Sequence, residues 1–189
     1  MLNIVDNSRT DKNTTHSYLE LYEKLFEHKK ETAQRVLEVG VQNGGSIKLW
    51  HDYFVNAQVY GVDIISYDSM WEENKYKDRI TLFPSTNAYD PNFVTKQLVS
   101  RGKFDMVLDD GPHTLDSLIA FIQLYTPLLA DDGILVIEDV QSWDWLDELK
   151  KVVPEDLQTC IKIYDLRPNK NRYDDIVFTI DRSHPPAAV

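Results

Sequence analysis

One cysteine, Cys160, in 189 residues excludes an intrachain disulfide and any cysteine-rich zinc site. Its apolar neighbours mark it as a small buried side chain, and its isolation suits a reducing, cytoplasmic compartment. Basic residues are also scarce: 20 Lys and Arg stand against 31 Asp and Glu, a net charge of −11. That balance argues against a broad nucleic-acid surface and against a polybasic membrane patch. No apolar run approaches the ~20 residues that cross a bilayer, and residues 1–11 are too polar for a secretory leader. The dinucleotide fingerprint GxGxxG is missing as well. The nearest pattern, EVGVQNGGS at residues 38–46, has Gln42 where the middle glycine belongs.

What the chain does have is apolar strand patterns ending in acids. Residues 104–113, FDMVLDDGPH, run from five residues of buried-strand character into Asp109, Asp110 and His113. Residues 133–139, GILVIED, repeat the idea and end in Glu138 and Asp139. If the two strands are parallel neighbours, up to four carboxylates and one imidazole gather at one sheet edge. Hard oxygen donors of that kind favour Mg²⁺, with Mn²⁺ or Ca²⁺ as substitutes. The bland alternative is that each acid pair ends a strand and caps a helix, with Asp110 or Thr114 capping one that begins near Leu115.

Further strands are expected at residues 35–40, 58–63 and 80–83, and helices at 16–30, 46–54, 91–100, 114–129 and within 144–152. Thr14 or Thr15 is the expected cap of the first helix, whose stripe is Tyr18, Leu21, Tyr22, Leu25 and Phe26. Residues 65–78, with Trp71, read as irregular, and Asp131 and Asp132 as a solvated turn. Residues 159–164 and 175–180 read as two strands joined by a polar loop too short for a helix, hence an antiparallel pair. Alternating strands and helices predict an α/β, doubly wound, mostly parallel seven-stranded sheet of Rossmann-like type. With no repeat and no linker, residues 1–189 read as a single domain. It comprises a polar segment and helix at 1–33, a core at 34–182 and a tail at 183–189.

In such sheets ligands sit beyond the C-terminal strand ends. Gly40, Gly44 and Gly45 let the chain turn close to a ligand, and Asp63 ends the next strand where ribose hydroxyls would lie. A gapped glycine pattern with acids at both positions tolerates a ligand without phosphates, such as S-adenosylmethionine. A glycine turn around no ligand, and a solvated strand end at Asp63, are the plain alternatives.

EVGVQNGGS, VYGVD at residues 59–63 and FDMVLDDGPH resemble the first, second and fourth motifs of the class I S-adenosylmethionine-dependent methyltransferases. Within that class the chain is similar to the metal-dependent sugar O-methyltransferases of the macrocin and mycinamicin type. Thr10-Asp11-Lys12 with His16-Ser17-Tyr18, Asp109 to His113, and Ile137-Glu138-Asp139 carry the likeness, while Pro112 departs from the family's serine. The resemblance implies Asp110, Glu138 and Asp139 as metal ligands and His113 as general base. It implies Glu38, Gly40, Gly44, Ser46, Asp63, Asn87 and Asp109 around the cofactor. Arg9 and Lys12 are candidates to reach the cofactor or acceptor, or else free polar residues.

The expected activity is Mg²⁺- or Mn²⁺-dependent O-methylation of a sugar or nucleotide-sugar. The acceptor pocket is expected from residues 65–78, 141–147 and 165–174 or from a partner in a homo-oligomer. Trp143 and Trp145 are candidate pocket walls. Arg167, Lys170 and Arg172 are candidates for a diphosphate. A catechol-type O-methyltransferase, a nucleotide-linked oxidoreductase and a non-catalytic binding protein stay open as rivals.

Overall fold

A computed structural model of the chain describes residues 1–66 and 78–184. Its sheet has seven strands in the order β3-β2-β1-β4-β5-β7-β6. They are β1 (Arg35–Val39), β2 (Gln58–Val62), β3 (Ile80–Phe83), β4 (Phe104–Asp109), β5 (Leu129–Ile137), β6 (Ile161–Asp165) and β7 (Ile176–Asp181). The helices are α1 (Leu19–Phe26), α2 (Gly45–Tyr53), α3 (Pro91–Phe93), α4 (Leu115–Tyr125), α5 (Trp145–Val152) and α6 (Arg167–Lys170). The first five strands are mutually parallel, and β7 runs antiparallel to both β5 and β6. Strand order reverses between β1 and β4, so a crevice opens at their C-terminal ends.

Side chains alternate across the sheet. Val36, Met106, Leu108, Ile134 and Val136 face one buried layer with α1 and α2. Leu37, Val39, Val107, Leu135 and Ile137 face the other, with α4 and α5. This parity decides where the acids go. Glu38 is flanked in its strand by residues of the second layer, so it points to the α1–α2 side. Register pairs Val39 with Asp109 and Asp109 with Ile137, so Asp110 and Glu138 leave their strands side by side.

Several expected elements differ. The first helix starts at Leu19 with Tyr18 as its uncapped N-terminal residue. Thr14 and Thr15 instead turn their amides onto the Asp11 carbonyl. Residues 91–101 are not one helix but a turn of α3, a wide turn at Val94–Leu98 and a tight one at Val99–Arg101. Asp90 caps that run, and the buried pair Val94 and Leu98 anchors it. The loop before β7 does contain a helical turn, α6. Pro168 presets its backbone and Asn171, at φ 56°, ends it in the left-handed conformation. The strand ending in Ile137 starts earlier than expected, with a register shift against β4, so Asp131 and Asp132 are exposed strand residues. Thr114, not Asp110, caps α4 through a capping box with Ser117. Of the expected irregular stretch at 65–78, residues 67–77 and Trp71 lie outside the described residues. Cys160 is buried and free.

Candidate active site

The loops after β1, β2, β3 and β4 enclose a cleft of about 580 Å³. Gly40 (φ 85°) lets the chain leave β1 against the next strand's loop, where an added Cβ would lie 1.9 Å from the Asp110 carbonyl oxygen. Gly45 has a different reason. A Cβ there would lie 2.6 Å from the backbone of Arg9, so the segment before α1 is laid directly over the glycine turn. Asp63 braces that turn, because its Oδ2 accepts from the amides of Val41 (2.7 Å) and Gln42 (2.8 Å).

Gly40, Ser46, Asp63 and Asn87 line the cleft, together with Arg9, Tyr89, Pro112 and His113. Gly44 stands back from the lining and serves as the left-handed N-terminal residue of α2. Asp109 is also behind the wall and fully buried. Its Oδ1 accepts from Tyr89 Oη (2.6 Å) and the Gly111 amide (3.1 Å). Burial pushes its carboxyl up to about 7, against the pull of the Tyr89 hydrogen bond. Asp109 therefore bears on the cleft through Tyr89, whose spacing from the motifs carries no sequence signal. Pro112 fixes the backbone beside His113, which is held at φ 51°.

Lys12 departs most from expectation. Its ammonium does not line the cleft but is buried among three carboxylates: Asp110 Oδ2 at 2.7 Å, Glu38 Oε1 at 3.3 Å, and Glu138 Oε2. Glu138 also accepts from Tyr22 Oη, and Glu38 from Trp50 Nε1 at 3.1 Å. Burial opposes the charge on Lys12, yet the three acids together hold its proton well above the usual lysine range. One ammonium does not balance two buried acids and a third, Asp110, at the cleft edge. Burial therefore pushes Glu38 up to about 7 and also raises Glu138, Lys12 notwithstanding.

On the cleft side of Asp110 lies a second grouping. His113 Nε2 is 3.5 Å from Asp110 Oδ1 and 3.6 Å from Asp139 Oδ2. One donor atom each from Asp110, His113 and Asp139 falls within 4.8 Å of the others, a spread that one metal ion can bridge. Glu138 is outside this group, because its oxygens are turned toward Lys12 and Tyr22. His113 Nδ1 is buried without a hydrogen-bond partner.

The expected basic group of the last loop is already engaged. Arg167 pairs with Asp165 (2.7 Å) and stacks over Trp143, Lys170 donates to the carbonyls of Asn13 and Thr14, and Arg172 pairs with Asp174. A free diphosphate clamp is not what these side chains form. Trp143 is half exposed at this edge, whereas Trp145 packs partly on the core. Among the described residues no helix is long and apolar enough to cross a membrane.

A crevice at the strand-order reversal, a glycine turn and paired acids beyond two parallel strands define a Rossmann-like enzyme of the class I methyltransferase type. The chain belongs to the methyltransferase-domain family, whose model, described as "Methyltransferase domain", matches residues 37–140, more than half its length. This settles the choice between methyltransferase and dehydrogenase in favour of the former.

Among curated proteins it is 29% identical over 143 residues to 8-demethyl-8-alpha-L-rhamnosyl tetracenomycin-C 2'-O-methyltransferase of Streptomyces olivaceus, a match covering 72% of this chain and 36% of that protein. It is 28% identical over 138 residues to mycinamicin VI 2''-O-methyltransferase of Micromonospora griseorubida, covering 69% and 33%. The chain thus matches about a third of the length of either relative. Among solved structures, the MycE methyltransferase of the mycinamycin biosynthetic pathway, in complex with Mg, SAH and mycinamycin VI, superposes with a TM-score of 0.72. That match is 23% identical in sequence and covers 97% of this chain and 55% of that one. The likeness extends over the seven-stranded sheet and its antiparallel end.

Proposed function

We propose that the chain transfers a methyl group from S-adenosylmethionine to a hydroxyl of a sugar or nucleotide-sugar, with a divalent metal, Mg²⁺ or Mn²⁺, at Asp110, Glu138 and Asp139. The observation that carries this reading is the convergence of Asp110, His113 and Asp139 at the rim of the cleft. The relatives' printed activities, O-methylation of sugar-bearing molecules, support the acceptor class.

The residues present fit such a metal. Two carboxylates, Asp110 and Asp139, face one point beside the His113 imidazole, and the acids around Lys12 are short of positive charge. Glu138, next to Asp139 in the chain, is the third proposed ligand; its carboxylate is turned to Lys12 and Tyr22 and has to swing away from them to reach the ion. When bound, the metal supplies Lewis acidity that lowers the pKa of a chelated sugar hydroxyl. His113 Nε2 receives the hydroxyl proton, its ring held between Asp110 and Asp139. The cleft walls formed by Gly40, Ser46, Asp63 and Asn87 hold the methyl donor, and Tyr89, fixed by Asp109, shapes the wall beside the reacting groups. Holding donor and acceptor in line supplies much of the rate of such a displacement. The half-exposed Trp143 offers an apolar face to an acceptor ring.

The test is methyl transfer from labelled donor to a panel of sugars, nucleotide-sugars, sugar-bearing aglycones and catechols. Activity lost in EDTA and restored by Mg²⁺ is expected, with sugars preferred. Turnover surviving exhaustive chelation, or a preference for catechols, sinks the metal or the acceptor assignment respectively.

A further inference from the structure

His16 and Tyr18 belong to a motif that the reaction above leaves without a role, yet both are buried deep in the fold. Tyr18 Oη donates to Asp139 Oδ1 and lies 3.2 Å from Asp175 Oδ1. His16 Nδ1 is 2.6 Å from Asp175 Oδ1 and 3.4 Å from Asp139 Oδ1. The imidazole stacks on the Tyr18 ring at 4.8 Å between centroids. Asp175 is fully buried on the segment entering β7. Residues distant in sequence thus meet around a single oxygen of Asp139.

Asp139 itself is held at φ 52°, a backbone region that side chains other than glycine seldom adopt. Its two oxygens have separate surroundings. Oδ1 lies inside the network, and Oδ2 faces His113 Nε2. A carboxylate turns about one bond, so fixing Oδ1 fixes where Oδ2 points. Burying a histidine, a tyrosine and an aspartate is costly unless they are hydrogen-bonded, and here His16 Nδ1, Tyr18 Oη and the Asp175 and Asp139 Oδ1 atoms pair with one another.

We propose that Tyr18, supported by the His16–Asp175 pair, is a positioning residue that aims Asp139 Oδ2 at the metal. Tyr18 and His16 act through Asp139 and touch neither metal nor substrate. Asp139 Oδ1 and Asp175 Oδ1 are engaged by Tyr18 and His16, whereas Asp175 Oδ2 and Asp174 Oδ1 nearby are buried without partners, so an ion bound in the network itself is the rival outcome. This inference rests on the metal reading of Asp110 and Asp139.

Mn²⁺ binding, measured by electron paramagnetic resonance and calorimetry on the whole chain, tests the two separately. One Mn²⁺ per wild-type chain is expected. Tyr18→Phe keeps the ring stack and removes only the hydroxyl, so affinity falls about 10–100-fold, the usual effect of losing an outer-shell partner. The melting temperature stays within a few degrees. His16→Phe weakens Mn²⁺ in the same direction, and His16→Asn, which retains a donor, restores most of the affinity. No Mn²⁺ bound by the wild type removes the metal reading itself. Wild-type binding with Tyr18→Phe and His16→Phe both unchanged overturns the positioning role alone. A second bound Mn²⁺ that disappears in Asp175→Asn overturns it too, since the network is then itself an ion site.

Discussion

The ammonium of Lys12 lies 2.7 Å from Asp110 Oδ2, across 98 residues of chain. Asp110 therefore faces two ways, with Oδ2 on a buried lysine and Oδ1 toward His113 and the cleft. The segment before α1 thus supplies the counter-charge for the acids at the end of the sheet.

Removing that counter-charge leaves buried acids unpaired. Lys12→Met is expected to lower the stability of the metal-free protein by about 3–5 kcal/mol, the usual cost of breaking a buried pair from one side. Added Mg²⁺ restores part of the loss. Urea unfolding with and without Mg²⁺ measures both, and a variant as stable as wild type without metal contradicts the assignment.

His113→Ala is expected to reduce methyl transfer about 10²–10⁴-fold, the range for a lost general base. Donor binding in calorimetry stays unchanged, because the cleft wall is otherwise intact. If Mn²⁺ affinity collapses along with the rate, His113 is a ligand and not the base.

Gly40→Ala and Gly45→Ala separate two uses of glycine. At Gly40 the new Cβ meets the Asp110 carbonyl and the positive φ is strained, so a loss of more than about 1 kcal/mol and weaker donor binding are expected. At Gly45 it meets Arg9's backbone, so the segment at residues 9–12 is displaced. Limited proteolysis near the N-terminus should quicken in Gly45→Ala and not in wild type.

Glu38 carries a pH signature. Its folded carboxyl is pushed up to about 7 from an ordinary 4.5, so the folded state retains a proton that the unfolded chain releases. That contribution is complete below about pH 4.5 and is lost as pH rises through 7, at about 1.4 kcal/mol per pH unit. In metal-free protein, Glu38→Gln should flatten the slope of stability against pH between 4.5 and 7. An unchanged slope places the Glu38 carboxyl in the ordinary range.

The strands were legible because their apolar runs end sharply: residues 80–83 and 104–109 coincide with β3 and β4. The meeting of Asp110 and Glu138 followed from parallel neighbours alone. What stayed hidden depends on partners far away in sequence. Tyr18 and Tyr22 read as an apolar stripe because their rings are buried, yet their hydroxyls serve Asp139 and Glu138. A buried tyrosine needs a partner for its hydroxyl, which was the available hint. Lys12 read as a free or ligand-facing lysine because nothing local marks a side chain that crosses to three strand ends. The helical turn at Arg167–Lys170 was missed because a four-residue turn is too short to leave a periodic pattern.

The contact between Lys12 and Glu138 spans 126 residues. One of the acids that hold the lysine, Glu38, lies on β1, and the other two follow β4 and β5. Until β4 and β5 pair, burying the ammonium has only Glu38 to offset its loss of water. The segment at Lys12 is therefore held in full only when β4 and β5 are paired, so the reacting edge of the sheet is sealed by a contact that needs the centre of the core in place.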